Sequence, residues 1–239
     1  MSETSFEITV IGKVHSPYKE KFAIPRQPGL VSKAKGSIEL IGGANNADLI
    51  RDLNSYSHLW VIFIFHETLE QGWKPLVRPP RLGGNKKTGV LATRSTFRPN
   101  GIGMSVVKLE GIHTQDKSIH IEISGLDLLD KTPVVDIKPY IPYSDSIYGA
   151  TSKIAQEAPM ASLQVEFSIE ANEAITKLIK PYPDLKEFIG EVLSQDPRPA
   201  YRKGKEDNKL YGICLYNFNI RWKMKNANTV EVLALENLT

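Results

Sequence analysis

Seven short segments in the first 140 residues have the composition of β-strands. They are rich in Val, Ile and aromatic residues, and Gly, Pro or Asn residues separate them. These segments are Phe6–Val14, Gly36–Ile41, His58–Phe65, Thr88–Thr93, Gly103–Leu109, Ser118–Ile123 and Val134–Ile137. In Ser118–Ile123 isoleucines alternate with polar residues, which predicts one buried and one wet face. His58–Phe65 does not alternate, so we expect a central strand covered on both faces, by a closed barrel interior and by a helix or a second subunit.

The composition changes after residue 140. Residues 141–162 are rich in Ser, Ala, Pro and Tyr with weak periodicity, as in a linker or surface loop. Beyond them, the apolar spacing in 185–193 predicts an amphipathic helix between two prolines. Residues 211–224 and 230–235 predict a hairpin, with a bulge near Tyr216. We therefore expect a mainly β N-terminal domain (1–145), a linker (146–162) and a smaller α+β domain (163–239), with Ala44–Leu53 as the one N-terminal helix.

One stretch of the chain is strongly basic. Between Glu70 and Glu110 there are eight basic residues and no acid, whereas acids outnumber bases in the rest of the chain. The eight are Lys74, Arg78, Arg81, Lys86, Lys87, Arg94, Arg98 and Lys108. Such local charge attracts a polyanion. A solvated loop face is the alternative, but Phe97 lies between two arginines, a combination that can stack an unpaired base.

A second basic and aromatic loop follows the predicted C-terminal helix. It spans residues 196–205, and it would allow one RNA to contact both domains; a structural proline turn is the alternative. The candidate RNA contacts of the two loops are Arg78, Arg81, Lys86, Lys87, Arg98, Arg198, Tyr201, Arg202 and Lys203.

Several classes of protein are disfavoured by the composition. Cys214 is the single cysteine, so no internal disulfide is possible, and its apolar neighbours predict a buried residue that is not a nucleophile. The longest apolar run, Leu59–Phe65, is too short to span a bilayer. No secretion-type segment opens the sequence, so we expect a cytoplasmic protein without a membrane partner. The histidine spacing suggests no metal site, and no GxGxxG, P-loop or GxSxG motif is present.

Acidic residues and one histidine lie at the ends of the predicted strands. They are His66, Glu67, Asp127, Asp130 and Asp136. Strand ends beside loops are where a binding site can be built on a rigid support. Each of these residues, taken alone, is also compatible with a hydrogen-bonded turn.

Four longer motifs together resemble the TrmO family of β-barrel tRNA methyltransferases that use S-adenosylmethionine. The motifs are residues 16–29 (SPYKEKFAIPRQPG), 78–104, 125–140 and 196–204. The likeness covers nearly the whole chain. It implies a β-barrel N-terminal domain, a homodimer with the methyl donor near the subunit contact, and N6 methylation of threonylcarbamoyladenosine at position 37 in the anticodon arm of tRNA, with threonine tRNA as the expected substrate.

The resemblance also implies the residues of the site. The donor contacts carried onto this sequence are Gln27, Pro28, Gly29, His66, Glu67, Arg94, Met104, Ser124, Gly125, Leu126 and Asp127. The family usually has Pro where this chain has Gly101, which frees a backbone φ angle.

The sulfonium of the donor is cationic, so we expect the basic residues to bind RNA phosphates and the carboxylates to bind the donor. Glu67 and Asp127 are candidates for its amino or ribose groups. Asp127, and after it Asp136, are the candidate catalytic bases, because the ureido nitrogen must lose a proton. An RNA-binding module without catalysis is the alternative function, and a small-molecule hydrolase is a weaker one.

Overall fold

The structure is a computed structural model that describes residues 4–82, 85–152, 155–199, 202–204 and 207–238, with only the backbone at Arg81. Six strands of the N-terminal part form one sheet, here called the closed sheet. They are β1 (Gly12–His15), β2 (Lys35–Leu40), β3 (His58–Ile64), β6 (Ile102–Gln115), β7 (Ser118–Ser124) and β8 (Pro133–Pro139). Two short strands, β4 (Leu76–Val77) and β5 (Thr88–Gly89), pair only with each other.

The pairing of the closed sheet returns to its starting strand. The order is β1-β2-β7-β6-β3-β8, and β8 pairs again with β1 through Gly12 and Val134. Each of the six strands therefore has two hydrogen-bonded neighbours and no free edge.

Strand β3 alternates in exposure although it does not alternate in polarity. Leu59, Val61 and Phe63 point inward and are buried. Trp60, Ile62 and Ile64 lie on the outer face and are half-buried. The expectation that this strand is covered on both faces is therefore not met within one chain.

The C-terminal part is a four-stranded sheet with two helices. After α1 (Pro142–Asp145) its elements are β9 (Gln164–Phe167), α2 (Ile169–Lys177), α3 (Leu185–Ser194), β10 (Leu210–Leu215), β11 (Phe218–Asn226) and β12 (Thr229–Asn237). The strand order is β10-β11-β12-β9, with β9 parallel to β12. Helix α2 begins where Ser168 Oγ accepts a hydrogen bond from the Ala171 N–H at 3.1 Å.

The two parts share one hydrophobic core. Tyr18, which follows β1, is fully buried and forms an isolated β-bridge with Leu215 of β10. Glu191 of α3 accepts hydrogen bonds from Ser32 Oγ at 2.8 Å and from the Lys33 N–H at 2.9 Å. The helical part of the chain therefore packs directly on the loops of the closed sheet.

The mainly β prediction is confirmed, and so is the amphipathic helix, whose predicted apolar residues are all buried in α3. The predicted helix Ala44–Leu53 is wrong. The chain forms three separate 3₁₀ turns there, at Gly42–Ala44, Ala47–Ile50 and Leu53–Ser55. Asp52 has a left-handed φ of 63°, so a continuous α-helix cannot pass through it.

Other boundaries also differ from the sequence prediction. The first strand starts at Gly12 and not at Phe6. The predicted strand Thr88–Thr93 ends after two residues and continues as the 3₁₀ turn Val90–Ala92. Tyr216 lies in the tight turn between β10 and β11 with a φ of 52°, so it forms a turn and not a bulge. Cys214 is half-buried and not buried, and burial raises the pKa of its thiol, which does not favour a thiolate nucleophile.

Candidate functional site

Two of the predicted donor-binding motifs meet at a pair of glycines. The Gly29 N–H donates to the Gly125 carbonyl at 2.8 Å. Both residues have a positive φ, 78° for Gly29 and 69° for Gly125, and a Cβ on Gly125 would lie 3.7 Å from the Gly29 Cα. Glycine suits both positions because left-handed backbone is strained for other residues. The loop before β2 and the turn after β7 are thus held together by their backbones.

The basic stretch joins this pair of loops through Arg94. Arg94 Nη1 donates to Gln27 Oε1 at 2.6 Å, although Arg94 is exposed. Arg94 also favours the ionised form of Asp127, whose pKa is raised overall by burial. Three segments that are far apart in sequence therefore converge on one region.

Asp127 is the ionisable group of this region. Its Oδ1 accepts a hydrogen bond from Ser105 Oγ at 2.5 Å, and Ser105 is buried on the inner face of β6. Burial raises the pKa of Asp127 to about 6, against the opposing effects of the Ser105 hydrogen bond and Arg94. A carboxyl group with such a pKa can accept a proton near neutral pH.

The neighbouring residues predicted to contact the donor have side chains that are already bonded or buried, so mainly their backbones are available to a ligand. Ser124 Oγ donates to Glu110 Oε1 at 2.5 Å, so this hydroxyl already has a partner, and the bond lowers the pKa of Glu110. The Leu126 side chain is fully buried in the core. Pro28, between Gln27 and Gly29, is half-buried.

His66 and Glu67 begin the 3₁₀ turn His66–Gln71 just after β3. His66 Nε2 lies 3.5 Å from Glu67 Oε1, and the Glu67 side chain is 70% exposed. The two residues thus lie together just after the C-terminal end of β3. No described contact joins them to Asp127.

Met104 and Asp136 lie on the outer face of the closed sheet. Both pair with Ile62, whose side chain points outward. Asp136 Oδ1 accepts from the Ile137 N–H at 2.9 Å, and Asp136 Oδ2 pairs with Lys138 Nζ at 2.8 Å. One chain therefore does not bring Met104 or Asp136 together with Asp127, and Asp136 is already held by two neighbours.

Several of the predicted RNA contacts are available on the surface of the basic stretch. Arg78, Lys86 and Lys87 are exposed. Arg81 lies in the 3₁₀ turn Pro80–Leu82, and its side chain is outside the described part of the structure. Arg98 is half-buried and its Nη1 donates to the Thr93 carbonyl at 3.2 Å, so part of its donor capacity is used within the loop.

Phe97 does not present a free ring as predicted. The Lys74 ammonium lies 4.2 Å from the centre of the Phe97 ring, and the Lys74 N–H donates to the Phe97 carbonyl at 3.0 Å. Phe97 is also half-buried. A base cannot stack on the ring face that the ammonium covers.

The C-terminal loop contradicts the prediction for Arg198. Its side chain is buried, and it forms a two-pronged pair with Asp196, Nε to Oδ1 at 2.8 Å and Nη2 to Oδ2 at 2.9 Å. Arg198 therefore holds the loop together and has no exposed surface for RNA. Tyr201 lies outside the described residues.

The other two predicted contacts of this loop are partly accessible. Arg202 lies 3.5 Å from Asp207 Oδ2. Lys203 is exposed, and its Nζ donates to the Gln195 carbonyl at 3.3 Å. The pKa of Lys203 is lowered, mainly because its ammonium group is partly desolvated, while Asp196 opposes the shift and the cations Arg26 and Arg198 add to it.

Sequence reasoning missed Ser105 and Glu110, the partners of Asp127 and Ser124. Both lie on β6, and only the strand pairing reveals that β6 lies beside the end of β7. In the described part of the chain, no cluster of His, Cys, Asp or Glu side chains is arranged to hold a metal ion. None of the helices described is long and apolar enough to cross a bilayer. A cleft of about 410 Å³ lies elsewhere, between β1–β2 and the start of α3; the strand-end candidate Asp130 lines it, but none of the predicted donor or RNA contacts does.

Comparisons with known proteins agree with the motifs that meet in this region. The family model for the tRNA-methyltransferase O N-terminal domain matches residues 13–146, and the TrmO C-terminal domain matches residues 160–238. The chain is 54% identical over 233 residues to the tRNA (adenine(37)-N6)-methyltransferase of Escherichia coli K12, covering 98% of this chain and 99% of that protein. It is 44% identical over 230 residues to RcsF of Pseudomonas aeruginosa, which carries the name of an S-adenosylmethionine-dependent methyltransferase; the match covers 95% of this chain and 96% of that protein.

A solved structure extends the similarity to the whole fold. The crystal structure of TrmO from Pseudomonas aeruginosa superposes with a TM-score of 0.82 at 36% identity, covering 99% of this chain and 100% of that chain. The two domain matches, the full-length relative and the shared fold lead to one conclusion: this chain belongs to the tRNA-methyltransferase O (TrmO) family.

Proposed function

We propose that this protein is an S-adenosylmethionine-dependent tRNA methyltransferase that acts on N6 of the modified adenosine at position 37. The acceptor is threonylcarbamoyladenosine in the anticodon loop, with threonine tRNA as the expected substrate. The observation that carries the proposal is the half-buried Asp127, held by Ser105 at the point where the motifs of Gln27, Arg94 and Gly125 converge. Family membership and the E. coli relative support the same reaction.

The residues present fit S-adenosylmethionine. Gly29 and Gly125 carry no side chains, so a ligand can lie close to their backbone, although the Gly29 N–H and the Gly125 N–H and carbonyl are already hydrogen-bonded. Gln27 orients the nearby Arg94, and Asp127 and the exposed Glu67 provide negative charge for a cationic ligand. We assign Gln27, Pro28, Gly29 and residues 124–127 to the donor pocket, with His66 and Glu67 at its edge. When bound, the donor supplies an electrophilic methyl group on a positively charged sulfur.

Asp127 is the proposed base. The acceptor nitrogen is a ureido N–H whose lone pair is delocalised into a carbonyl, so it becomes a better nucleophile as the proton leaves. The Asp127 carboxylate would accept that proton as the nitrogen takes the methyl group and the methyl–sulfur bond of the donor breaks, its electron pair remaining on a neutral thioether sulfur. A pKa of about 6 leaves Asp127 ionised at pH 7 and still basic enough to take the proton. Asp136, paired with Lys138 on the outer face, is less suited to this role.

The substrate surface is the basic stretch. Arg78, Lys86 and Lys87 are exposed and available for phosphates of the anticodon arm. Arg202 and Lys203 add positive charge on the C-terminal loop. Arg198 is excluded from this role by its burial.

The protein is proposed to act as a homodimer. Three pairs of apolar residues line the outer face of β3 and β6 and remain partly exposed in one chain. These pairs are Trp60 with Val106, Ile62 with Met104, and Ile64 with Ile102. A second copy would cover this face, and it would bring Met104, which points away from Asp127 in its own chain, to a site at the subunit contact.

Three further assignments complete the proposal. The closed strand order supports a β-barrel for the N-terminal domain. The family matches at 13–146 and 160–238 support the limits 1–145, 146–162 and 163–239 for domain, linker and domain. A cytoplasmic location is consistent with a single half-buried cysteine and a tRNA substrate.

Methyl transfer to a defined tRNA tests the proposal. The purified chain is incubated with labelled S-adenosylmethionine and tRNA that carries threonylcarbamoyladenosine, and the nucleosides are analysed by mass spectrometry. We expect one added methyl group on that nucleoside and none on tRNA that lacks the threonylcarbamoyl group. Binding of both ligands without any transfer would identify an RNA-binding module without catalysis.

The Asp127→Asn variant tests the assigned base. We expect it to bind the donor more weakly, measured by calorimetry, because one negative charge is lost, and to lose roughly a hundredfold or more in rate even at saturating donor. A wild-type rate would rule out this role. A loss seen instead in Asp136→Asn would transfer the role to Asp136.

A further inference from the structure

Trp73 is unusually exposed for a tryptophan. Its surface is 60% accessible, whereas Trp222 is only 2% accessible. Trp60 is half-buried and its Nε1 donates to Asp145 Oδ2 at 2.9 Å. A large exposed aromatic ring is the type of residue that marks an interaction surface.

The backbone that carries Trp73 is fixed on both sides. The Gly72 N–H donates to the Leu69 carbonyl, the Lys74 N–H to the Phe97 carbonyl, and the Val90 N–H to the Pro75 carbonyl, each at 3.0 Å. Strands β4 and β5 pair directly after this point. The indole is therefore presented to solvent from an ordered backbone.

The surroundings of Trp73 favour a polyanion over a protein partner. No acidic residue occurs between Glu70 and Glu110. Lys74 is the next residue, and Arg78, Lys86 and Lys87 are exposed on the loop between β4 and β5. An exposed ring in a cationic surface is the combination by which proteins hold single-stranded nucleic acid, with phosphates on the cations and a base on the ring.

Phe97 is the other aromatic residue of this surface, and the Lys74 ammonium already covers one of its faces. The same lysine thus blocks Phe97 while its neighbour Trp73 stays open. The two rings therefore have different roles. Phe97 packs within the loop, and Trp73 is free to contact a partner.

We infer that Trp73 is a stacking platform for an unpaired base of the RNA substrate. The inference rests on the proposed function, because the anticodon loop supplies such bases. Stacking on Trp73 orients the loop relative to the Asp127 region, while the cations around it bind the phosphates. Stacking depends on the flat face of a base and little on its identity, so Trp73 adds affinity and register without strong base preference.

The inference is tested with a fluorescently labelled anticodon stem-loop RNA and four forms of the full-length protein: wild type, Trp73→Ala, Trp73→Phe and Leu91→Ala. Leu91 is 75% exposed in the 3₁₀ turn that follows β5, within the same basic stretch, and serves as the matched apolar control. We expect Trp73→Ala to bind about tenfold more weakly and Trp73→Phe to stay within about threefold of wild type. The affinity of Leu91→Ala should not change.

Two further readouts separate stacking from charge and from subunit contact. The slope of log affinity against log salt should be the same in Trp73→Ala and wild type, because no phosphate contact is lost. RNA should quench tryptophan fluorescence in wild type and much less in Trp73→Phe, although that variant still binds.

Each contrary result has a distinct meaning. If wild type binds the RNA and Trp73→Ala binds it with equal affinity, the inference is overturned and the proposed function stays intact. A Trp73→Ala protein that sediments at a lower mass than wild type would assign the ring to a subunit contact and would also overturn it. A wild type that does not bind the RNA would overturn both.

Discussion

At the residue scale, the fold makes the ionised form of the Asp127 carboxyl group unfavourable. Its pKa rises from 3.8 to about 6 because burial penalises the charge. The folded state therefore binds the proton more tightly than the unfolded state, and stability falls as the pH rises from about 4 to about 6. At roughly 1.4 kcal/mol per pKa unit, keeping Asp127 ionised at neutral pH costs the fold on the order of 3 kcal/mol. A group kept ionised at that expense is more readily explained by function than by stability.

Removal of the Ser105 hydroxyl should shift the pH dependence of methyl transfer. The Ser105 hydrogen bond stabilises the Asp127 carboxylate and lowers its pKa, so Ser105→Ala should raise that pKa by about one unit. The rate increase that accompanies deprotonation of Asp127 should then occur at correspondingly higher pH. We would measure kcat from pH 5 to pH 9 and follow the carboxyl titration by NMR.

Ser105→Thr is the matched variant, because it keeps a hydroxyl at the same position on β6. It should restore the wild-type pH profile. If the low-pH part of the pH–rate profile does not shift in Ser105→Ala, and the carboxyl titration is also unchanged, Ser105 has no influence on the charge of Asp127.

The sequence indicated some of these residues and could not indicate others. Asp127 was identifiable because it lies within a long motif that resembles the family. Its partner Ser105 was not, because the contact exists only after the closed sheet places the inner face of β6 beside the turn that follows β7. The burial of Arg198 could not be read from its loop either, since a basic loop looks the same whether an arginine points to solvent or to Asp196.

At the scale of elements, the strands were predictable where apolar residues cluster, and the turns were not. The apolar residues of Ala44–Leu53 have helical spacing, yet Asp52 adopts a left-handed φ and interrupts the helix that this spacing predicts.

The turn before β6 could not be predicted from the sequence either. Asn100 and Gly101 have φ values of 65° and 59°, and the Gly101 N–H donates to the Arg98 carbonyl at 3.1 Å. Proline, which the family usually has at this position, can neither adopt that φ nor donate that hydrogen bond. The turn in this chain therefore has a different backbone conformation.

Gly103 is required at the start of β6 for close packing. A Cβ there would lie 2.5 Å from the Phe63 ring and 2.8 Å from the Phe65 ring. These two rings pack edge to face with centres 5.1 Å apart, so neither can move freely. We expect Gly103→Ala to destabilise the protein by about 1–3 kcal/mol, measured by urea denaturation.

Gly111→Ala is the control in the same strand. A Cβ at Gly111 meets no atom within 4 Å, so its free energy of unfolding should change little. Equal stabilities of the two variants would mean that the rings of Phe63 and Phe65 yield without penalty.

At the scale of the whole molecule, the two ends of the chain are joined by a common core and the outer face of β3 is left open. The core continuity means that the C-terminal sheet and α3 support the loop of Tyr18 directly. The outer face of β3 and β6 is the reverse case, because its apolar pairs stay partly exposed within one chain, where Tyr140 and Asp145 contact Trp60. The sequence indicated that β3 needs a cover on its outer face, but it did not indicate the shared core, because it divided the chain into two domains and a linker.

Placing a charge on the open face should prevent dimerisation. Ile62→Asp introduces a carboxylate at the centre of the apolar pairs, and burying it in a subunit contact would carry a large desolvation penalty. We expect a monomer by sedimentation velocity at micromolar concentration, with weaker donor binding. Leu49→Asp, at a residue that is 66% exposed elsewhere on the surface, should remain dimeric. An Ile62→Asp protein that still sediments as a dimer would place the contact on another face.

The pairing of Ile64 with Ile102 brings the ends of residues 65–101 to adjacent strands. This segment, which holds seven of the eight basic residues counted between Glu70 and Glu110, therefore leaves and re-enters the closed sheet at two paired strands. Changes of length or charge within it need not alter the register of β3 and β6, so the proposed RNA surface can change in evolution while the proposed donor pocket, apart from its contact with Arg94, is kept.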